Sequence, residues 1–264
     1  FDIFVNLSAL LMVMYLGLND GLSIEVFFLI STVIFFIASF ALISRFPYRK
    51  NVNNLITYAL TKKIFLYAKP QLSASILQFM SGNFFVYVSA ILLGPVAVGA
   101  IRAAASILSF FIVIFNALDN YLPKIFREYM KISKVDLYAY FQNILVKGLI
   151  VSIPVSAIII IYSKEVILLA YGEEYVDKAF LVVWFSISHI FMYLIRPVSI
   201  YLRIIGEVKI FSSAAITVGL FTLLLTIPFI YLYGYLGAMV IMLGQQILQF
   251  SLMYRKVLLT KALN

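Results

Sequence analysis

AFLVVWFSISHIFMYLIRPVSIYLRIIGEVKIFSSAAITVGLFTLLLTIPFIYLYGYLGAMVIMLGQQILQFSLMY, residues 179–254, holds three apolar runs parted only by a short break at 206–209 and by Gly234. Each run reaches the roughly 20 residues a helix needs to cross the hydrocarbon core of a bilayer. Inside lipid every backbone polar group must be satisfied within the protein, and a helix does this within its own segment. The stretch therefore predicts three consecutive membrane-spanning helices.

Outward from it the pattern repeats. Apolar runs at 3–18, 22–44, 70–93, 96–118 and 141–162 bring the expected number of spans to eight, with 179–205, 210–233 and 235–254. Asn19, Asp20 and Gly21 mark one tight turn, and Gly94 with Pro95 marks another. Composition agrees: 64% of the 264 residues are hydrophobic, 12% are charged and the mean hydropathy is +1.07. Such a chain is no water-soluble enzyme, disordered protein or free nucleic-acid binder. The expected class is an all-α integral membrane protein, a polytopic bundle of eight transmembrane helices. With no cysteine and one histidine it offers no disulfide, thiolate metal site or histidine cluster. No initiator methionine or signal-peptide pattern precedes the first run, so the chain reads as part of something longer.

Basic residues are retained on the cytoplasmic side of a membrane and so fix orientation. Fifteen of the twenty lie in four alternate connections: 45–69, 119–140, 206–209 with Arg203, and the tail after 254. Both termini are expected in the cytoplasm, with Asp20, Glu165, Glu173, Glu174 and Asp177 outside. The chain then divides into two spans (1–44), a basic linker (45–69), six spans (70–254) and a cytoplasmic tail (255–264). Within the linker, 53–67 has apolar residues at mostly helical spacing, which predicts an amphipathic helix on the membrane surface.

Polar groups inside the spans carry the functional signal. A charge at mid-membrane costs about 2.5–3.5 kcal/mol on insertion scales and usually faces a bundle interior or a water-filled cavity. Arg102 and Arg196 lie too deep in their spans for easy snorkelling, whereas Lys147 lies near enough to an end to snorkel. At 100° per residue, Gln71, Ser75, Gln78, Gly82 and Ser89 share one face of the third span. Gly99, Arg102, Ser106, Ser109, Asn116 and Asn120 share one face of the fourth, and Ser186, His189, Tyr193, Arg196 and Arg203 one face of the sixth. Gln245, Gln246 and Gln249 cluster near the inner end of the last. Serine, glutamine and glycine stripes also serve as glue between helices. That role explains the two arginines poorly, because no intramembrane carboxylate stands ready to pair with them. Unpaired cations facing a cavity suit an anionic substrate such as phosphate or pyrophosphate. Pro154, Pro197 and Pro228 fall inside spans, where proline removes a backbone hydrogen bond and tends to kink the helix. HExxH, GxSxG, Walker A and dinucleotide-binding patterns are all missing, so no enzyme chemistry is expected and no cofactor or metal is implied.

KPQLSASILQFMSGNFFVYVSAILLGPVAVGAIRAAASI at 69–107, YGEEYVDKA at 171–179 and YGYLGAMVIMLGQQI at 233–247 resemble the C-terminal half of Wzx-type polysaccharide (O-antigen) flippases of the multidrug/oligosaccharidyl-lipid/polysaccharide (MOP) exporter superfamily. The resemblance covers about 69–256; the first two spans fit by topology. It implies a MATE-like fold of twelve spans, of which these eight would be spans 5 to 12. The implied activity is movement of undecaprenyl-pyrophosphate-linked oligosaccharide across the inner membrane by alternating access, with H+ or Na+ coupling and with membrane lipids as the other partner. The substrate cavity would be lined by Arg102, Arg196, Gln78, Ser106, Ser109, His189 and Tyr193. An ion-coupled multidrug exporter of the same superfamily and a membrane glycan polymerase are the alternatives.

Overall fold

The computed structural model describes residues 54–262 and, before them, helical positions 26, 29, 32–34, 36, 37 and 40. The expected spans at 3–18 and 22–44, and Arg45, Arg49 and Lys50 of the linker, lie outside the described residues or touch them only at those positions. The chain forms two compact units, 1–62 and 63–264, and the helical bundle belongs to the second.

Among the described residues every regular element is a helix. α1 is Asn54–Leu93, α2 Pro95–Ile107, α3 Phe110–Ile132, α4 Lys134–Ile161 and α5 Ser163–Tyr171. A 3₁₀ turn at Glu173–Lys178 leads to α6 Ala179–Ile204, α7 Lys209–Tyr233 and α8 Tyr235–Ala262. Among the described residues five segments are long and apolar enough to cross a membrane: Ser75–Leu93 of α1, α4, Glu173–Ile204 (the turn with α6), α7 and Tyr235–Thr260 of α8. α2 and α3 together make a sixth if the bent pair is one span.

Several connections expected to be loops are helical. α1 runs unbroken from the linker through Pro70, so the surface helix expected at 53–67 is continuous with the following span. The expected inner loop at 119–140 is instead the end of α3 and the start of α4. At 28 residues and about 42 Å, α4 is longer than the roughly 30 Å hydrocarbon core. Ser133 separates α3 from α4: its backbone is extended and its Oγ accepts from the amides of Val135 and Asp136, both at 3.1 Å. The tail continues α8 to Ala262 and buries Val257 fully. The acidic segment expected outside is also ordered as α5 and the 3₁₀ turn, with Ile167 buried.

The fourth expected span is not straight. α2 and α3 meet at 56°. Around the junction Leu108, Ser109, Phe111 and Ile112 donate to carbonyls three residues back, at 3.0–3.2 Å, so the helix tightens locally and changes direction without a proline. α3, α4, α6 and α7 run through Pro123, Pro154, Pro197 and Pro228 as continuous helices. Gly94, with φ of +86°, takes a conformation open to glycine and lets Pro95 start α2 directly after α1.

α6 is the hub, packed against α2, α3, α4, α5 and α8. One core joins Phe85 of α1, Ile101 of α2, Phe111 and Phe115 of α3, Leu181 of α6 and Met239 of α8. A second, rich in aromatics, gathers Leu122, Phe126, Phe141, Tyr201, Met253 and Val257 at the basic end. There the Phe141 and Tyr201 rings stack at 4.6 Å and Phe126 meets Phe141 edge-on.

Candidate functional site: a polar cavity and an exposed polar face

Where the two cores meet, a cavity of about 610 Å³ opens between α1, α3, α6, α7 and α8. Its apolar walls come from both cores: Phe85, Phe185 and Met242 from one, Ile200, Ala214 and Met253 from the other. Its polar groups stand on four helices: Gln78, Ser81 and Asn83 on α1, Asp119 on α3, Ser188, His189, Arg196, Ser199 and Arg203 on α6, and the three glutamines on α8.

Arg196 forms a salt bridge with Asp119, and its guanidinium lies over the Phe115 ring at 5.5 Å. This corrects the expectation that no carboxylate is available to it: the sequence places 119 at the start of a loop, but the residue sits on a continuing helix that faces α6. Both side chains are about one-third exposed, so the pair is partly solvated. The Nδ1 of buried His189 lies 2.7 Å from the Phe185 carbonyl, which requires Nδ1 to donate and leaves Nε2 of a neutral ring as an acceptor. Its ring rests against Phe111 and Phe115.

The glutamines are held through their carbonyl oxygens. Ser188 Oγ donates to Gln246 Oε1 at 2.8 Å, Thr222 Oγ1 to Gln245 Oε1 at 3.2 Å, and Gln78 Nε2 to Gln249 Oε1 at 3.5 Å. The amide nitrogens of all three α8 glutamines have no acceptor among the described residues, and all three side chains line the cavity. The cavity therefore offers amide and guanidinium donors beside the acceptor Nε2 of His189, with its one carboxylate already neutralised by arginine.

Of the residues expected to share a substrate cavity, the structure brings Gln78, His189 and Arg196 together here. Arg102, Ser106 and Ser109 do not line it. They are exposed on α2 and its junction with α3, along with Gly99, Asn116 and Asn120, so the polar line expected on the fourth span turns away from the bundle. Arg102 makes no ion pair among the described residues, and Ser106 Oγ donates to the Arg102 carbonyl at 2.8 Å. Tyr193 is a second correction. It is buried, its hydroxyl donates to the Ile144 carbonyl at 2.5 Å, and its ring lies so close to α4 that a Cβ on Gly148 would stand 1.7 Å from Cζ. It packs α6 onto α4 and does not reach the cavity.

Buried serines and threonines mostly bond within their own helices, as Ser89 does to Phe85 and Ser186 to Val182, so they act as packing groups. Asp119 and Ser188 were missed as cavity residues, and Arg203 was placed on the polar face of its span but not among the cavity residues. The glutamine cluster was visible, but nothing local tied it to α1. Among the described residues no three His, Asp or Glu side chains could hold a metal ion.

The chain matches no protein-family model, no curated protein and no solved structure.

Proposed function

We propose that the chain forms the C-terminal part of a transporter that moves undecaprenyl-pyrophosphate-linked oligosaccharide across the cytoplasmic membrane by alternating access. The observation that carries this is the exposed polar line of Gly99, Arg102, Ser106, Ser109, Asn116 and Asn120 on a pair of helices apolar enough to form one span. Facing lipid, Arg102 would meet the full cost of an unpaired charge in hydrocarbon. Facing a water-filled passage it would meet a pyrophosphate, whose oxygens suit a guanidinium fork. No bond is made or broken in such a cycle. The protein replaces the hydration of the headgroup and sugars while one set of helices rocks against another.

The donor-rich cavity supports a substrate rich in oxygen acceptors. It fits an exporter of cationic drugs less well, because its one carboxylate is held by Arg196. H+ or Na+ coupling belongs to the same proposal, as does an orientation with both ends of the chain in the cytoplasm.

The test is to deplete the full-length protein and measure lipid-linked oligosaccharide on the cytoplasmic face of the membrane. Accumulation that the native protein reverses, and an equally abundant Arg102→Ala protein does not, is the expected result. Unchanged levels on depletion would remove the transport proposal, and full rescue by Arg102→Ala would remove the role of that arginine. Sidedness is checked separately with single cysteines: Glu174→Cys should react with an impermeant maleimide from outside and Lys131→Cys should not.

A further inference from the structure

At the basic end of the bundle a groove of about 350 Å³ lies between α3 and α6, lined by Pro123 and Arg127 of α3 and by Ile200, Arg203 and Ile204 of α6, with Asp119 in its wall. Asp119, Ile200 and Arg203 also line the large cavity, so the two spaces adjoin.

The charge available in the groove follows from where each neighbour is already committed. Asp119 is held by Arg196. Glu207, the acid in the turn after α6, is paired with Lys256 at 3.1 Å. The last carbonyls of α6 are capped by backbone: Tyr201, Leu202 and Arg203 accept from the amides of Ile205, Glu207 and Gly206 at 2.9–3.2 Å. Arg203 is thus needed neither as a helix cap nor as an acid's partner, and its guanidinium is steadied over the Phe211 ring at 5.0 Å. Arg127 is exposed and forms no ion pair among the described residues. Two guanidiniums therefore border one concave space with an apolar floor of Pro123, Ile200 and Ile204.

We infer that this groove binds a phosphoryl group, either in the headgroup of an anionic phospholipid or as free phosphate. Paired guanidinium forks match a tetrahedral oxyanion better than point-charge lysines do. Basic pockets between spans at a membrane surface are a usual place for phospholipid headgroups. The apolar floor suits the glycerol and first methylenes of a lipid. The site stands apart from the transport proposal because it needs no transported substrate to be filled.

The test uses full-length protein in phosphatidylcholine nanodiscs, with spin-labelled phosphatidylglycerol as the probe and spin-labelled phosphatidylcholine as the reference. Native protein should immobilise the anionic lipid preferentially. Arg127→Gln with Arg203→Gln should reduce that preference about tenfold, since each substitution removes charge-assisted hydrogen bonds. Lys124→Gln with Lys131→Gln, the same charge change at the same end but outside the groove, should reduce it far less. Equal loss in both pairs would overturn the groove in favour of diffuse surface charge, as would a native protein that neither prefers the anionic lipid nor binds inorganic phosphate. Added inorganic phosphate separates the sources: preference that survives it identifies the lipid headgroup, and full displacement identifies a site for free phosphate. Should the glutamine pair not yield a helical, monodisperse protein, Arg127→Lys and Arg203→Lys carry the test. They keep charge and lose the fork, so severalfold weaker binding is expected and unchanged binding would overturn the assignment.

Discussion

Arg102 and Arg196 sit at similar depth in their helices and end in opposite surroundings. On α2, Ala97, Ala100, Ile101, Ala103 and Ala104 form the buried face, and Arg102, two residues from Ala100, lies about 160° round the helix from it and is exposed. α6 is enclosed by other helices, so its arginine meets Asp119 and Phe115. Depth in a span sets what an unpaired charge would cost, whereas the number of neighbours around the helix decides whether a partner is there. The enclosed arginine joins α6 to α3, and the exposed one is available to something outside the bundle.

The largest expected effect concerns the enclosed side. If Tyr193 is packing, Gly148→Val should cost about 3 kcal/mol or more, because no small shift relieves a Cβ driven into a buried ring. Thermal unfolding in detergent should show a markedly lower midpoint. A native-like midpoint would mean that Tyr193 swings free of α4 and would return it to the cavity. Next, Arg196→Ala should cost about 2 kcal/mol by leaving the Asp119 carboxylate without its charged donor; the partial exposure of both groups keeps this below the 3–5 kcal/mol of a fully buried pair. Replacing both residues by alanine should recover part of the loss. Strict additivity in that double-mutant cycle would mean that the pair contributes nothing. Arg102→Ala, by contrast, should change stability by no more than about 0.5 kcal/mol, as exposed substitutions do. A loss like that of Arg196→Ala would erase the distinction.

Much of the helical order was legible because apolar runs of spanning length leave few alternatives. Gly94 with Pro95 marked one break, and the isolated Gly234 marked the turn into α8. The basic connections defeat the same reading because polarity does not by itself end a helix. Lys124, Arg127 and Lys131 project from α3 while Leu122 and Phe126, on its other side, enter a core. Ser133 followed by Asp136 was a helix-start signal in plain view. The α2–α3 bend has no proline or glycine to announce it; it follows from backbone bonding between Ala105 and Ile112. The cavity was half legible. Its polar groups could be placed on helix faces, but Asp119 with Arg196 and Gln78 with Gln249 join positions 77 and 171 residues apart, which only the packing brings together.

The smallest perturbation tests the exposed side most directly. The chain has no cysteine, so a single thiol can report whether the polar line faces water or lipid. Ser106→Cys and Ser109→Cys change little in volume, and loss of the Ser106 bond to its own helix should cost under about 1 kcal/mol. Maleimides react with the thiolate, and a thiolate forms far less readily in apolar surroundings than in water. If the line borders an aqueous passage, both cysteines should react with a small maleimide at rates close to that of a cysteine in the exposed acidic turn, such as Glu174→Cys. Val113→Cys, on the same helix pair at a position 71% exposed but flanked by apolar neighbours, should react far more slowly because its surroundings are hydrocarbon. Exposure in the fold is thereby separated from exposure to water. Equal slow reaction at 106, 109 and 113 would place Arg102 against lipid and leave the transport proposal without its main support. Fast reaction at 106 and 109 alone would give that arginine the wet surroundings that binding a pyrophosphate requires.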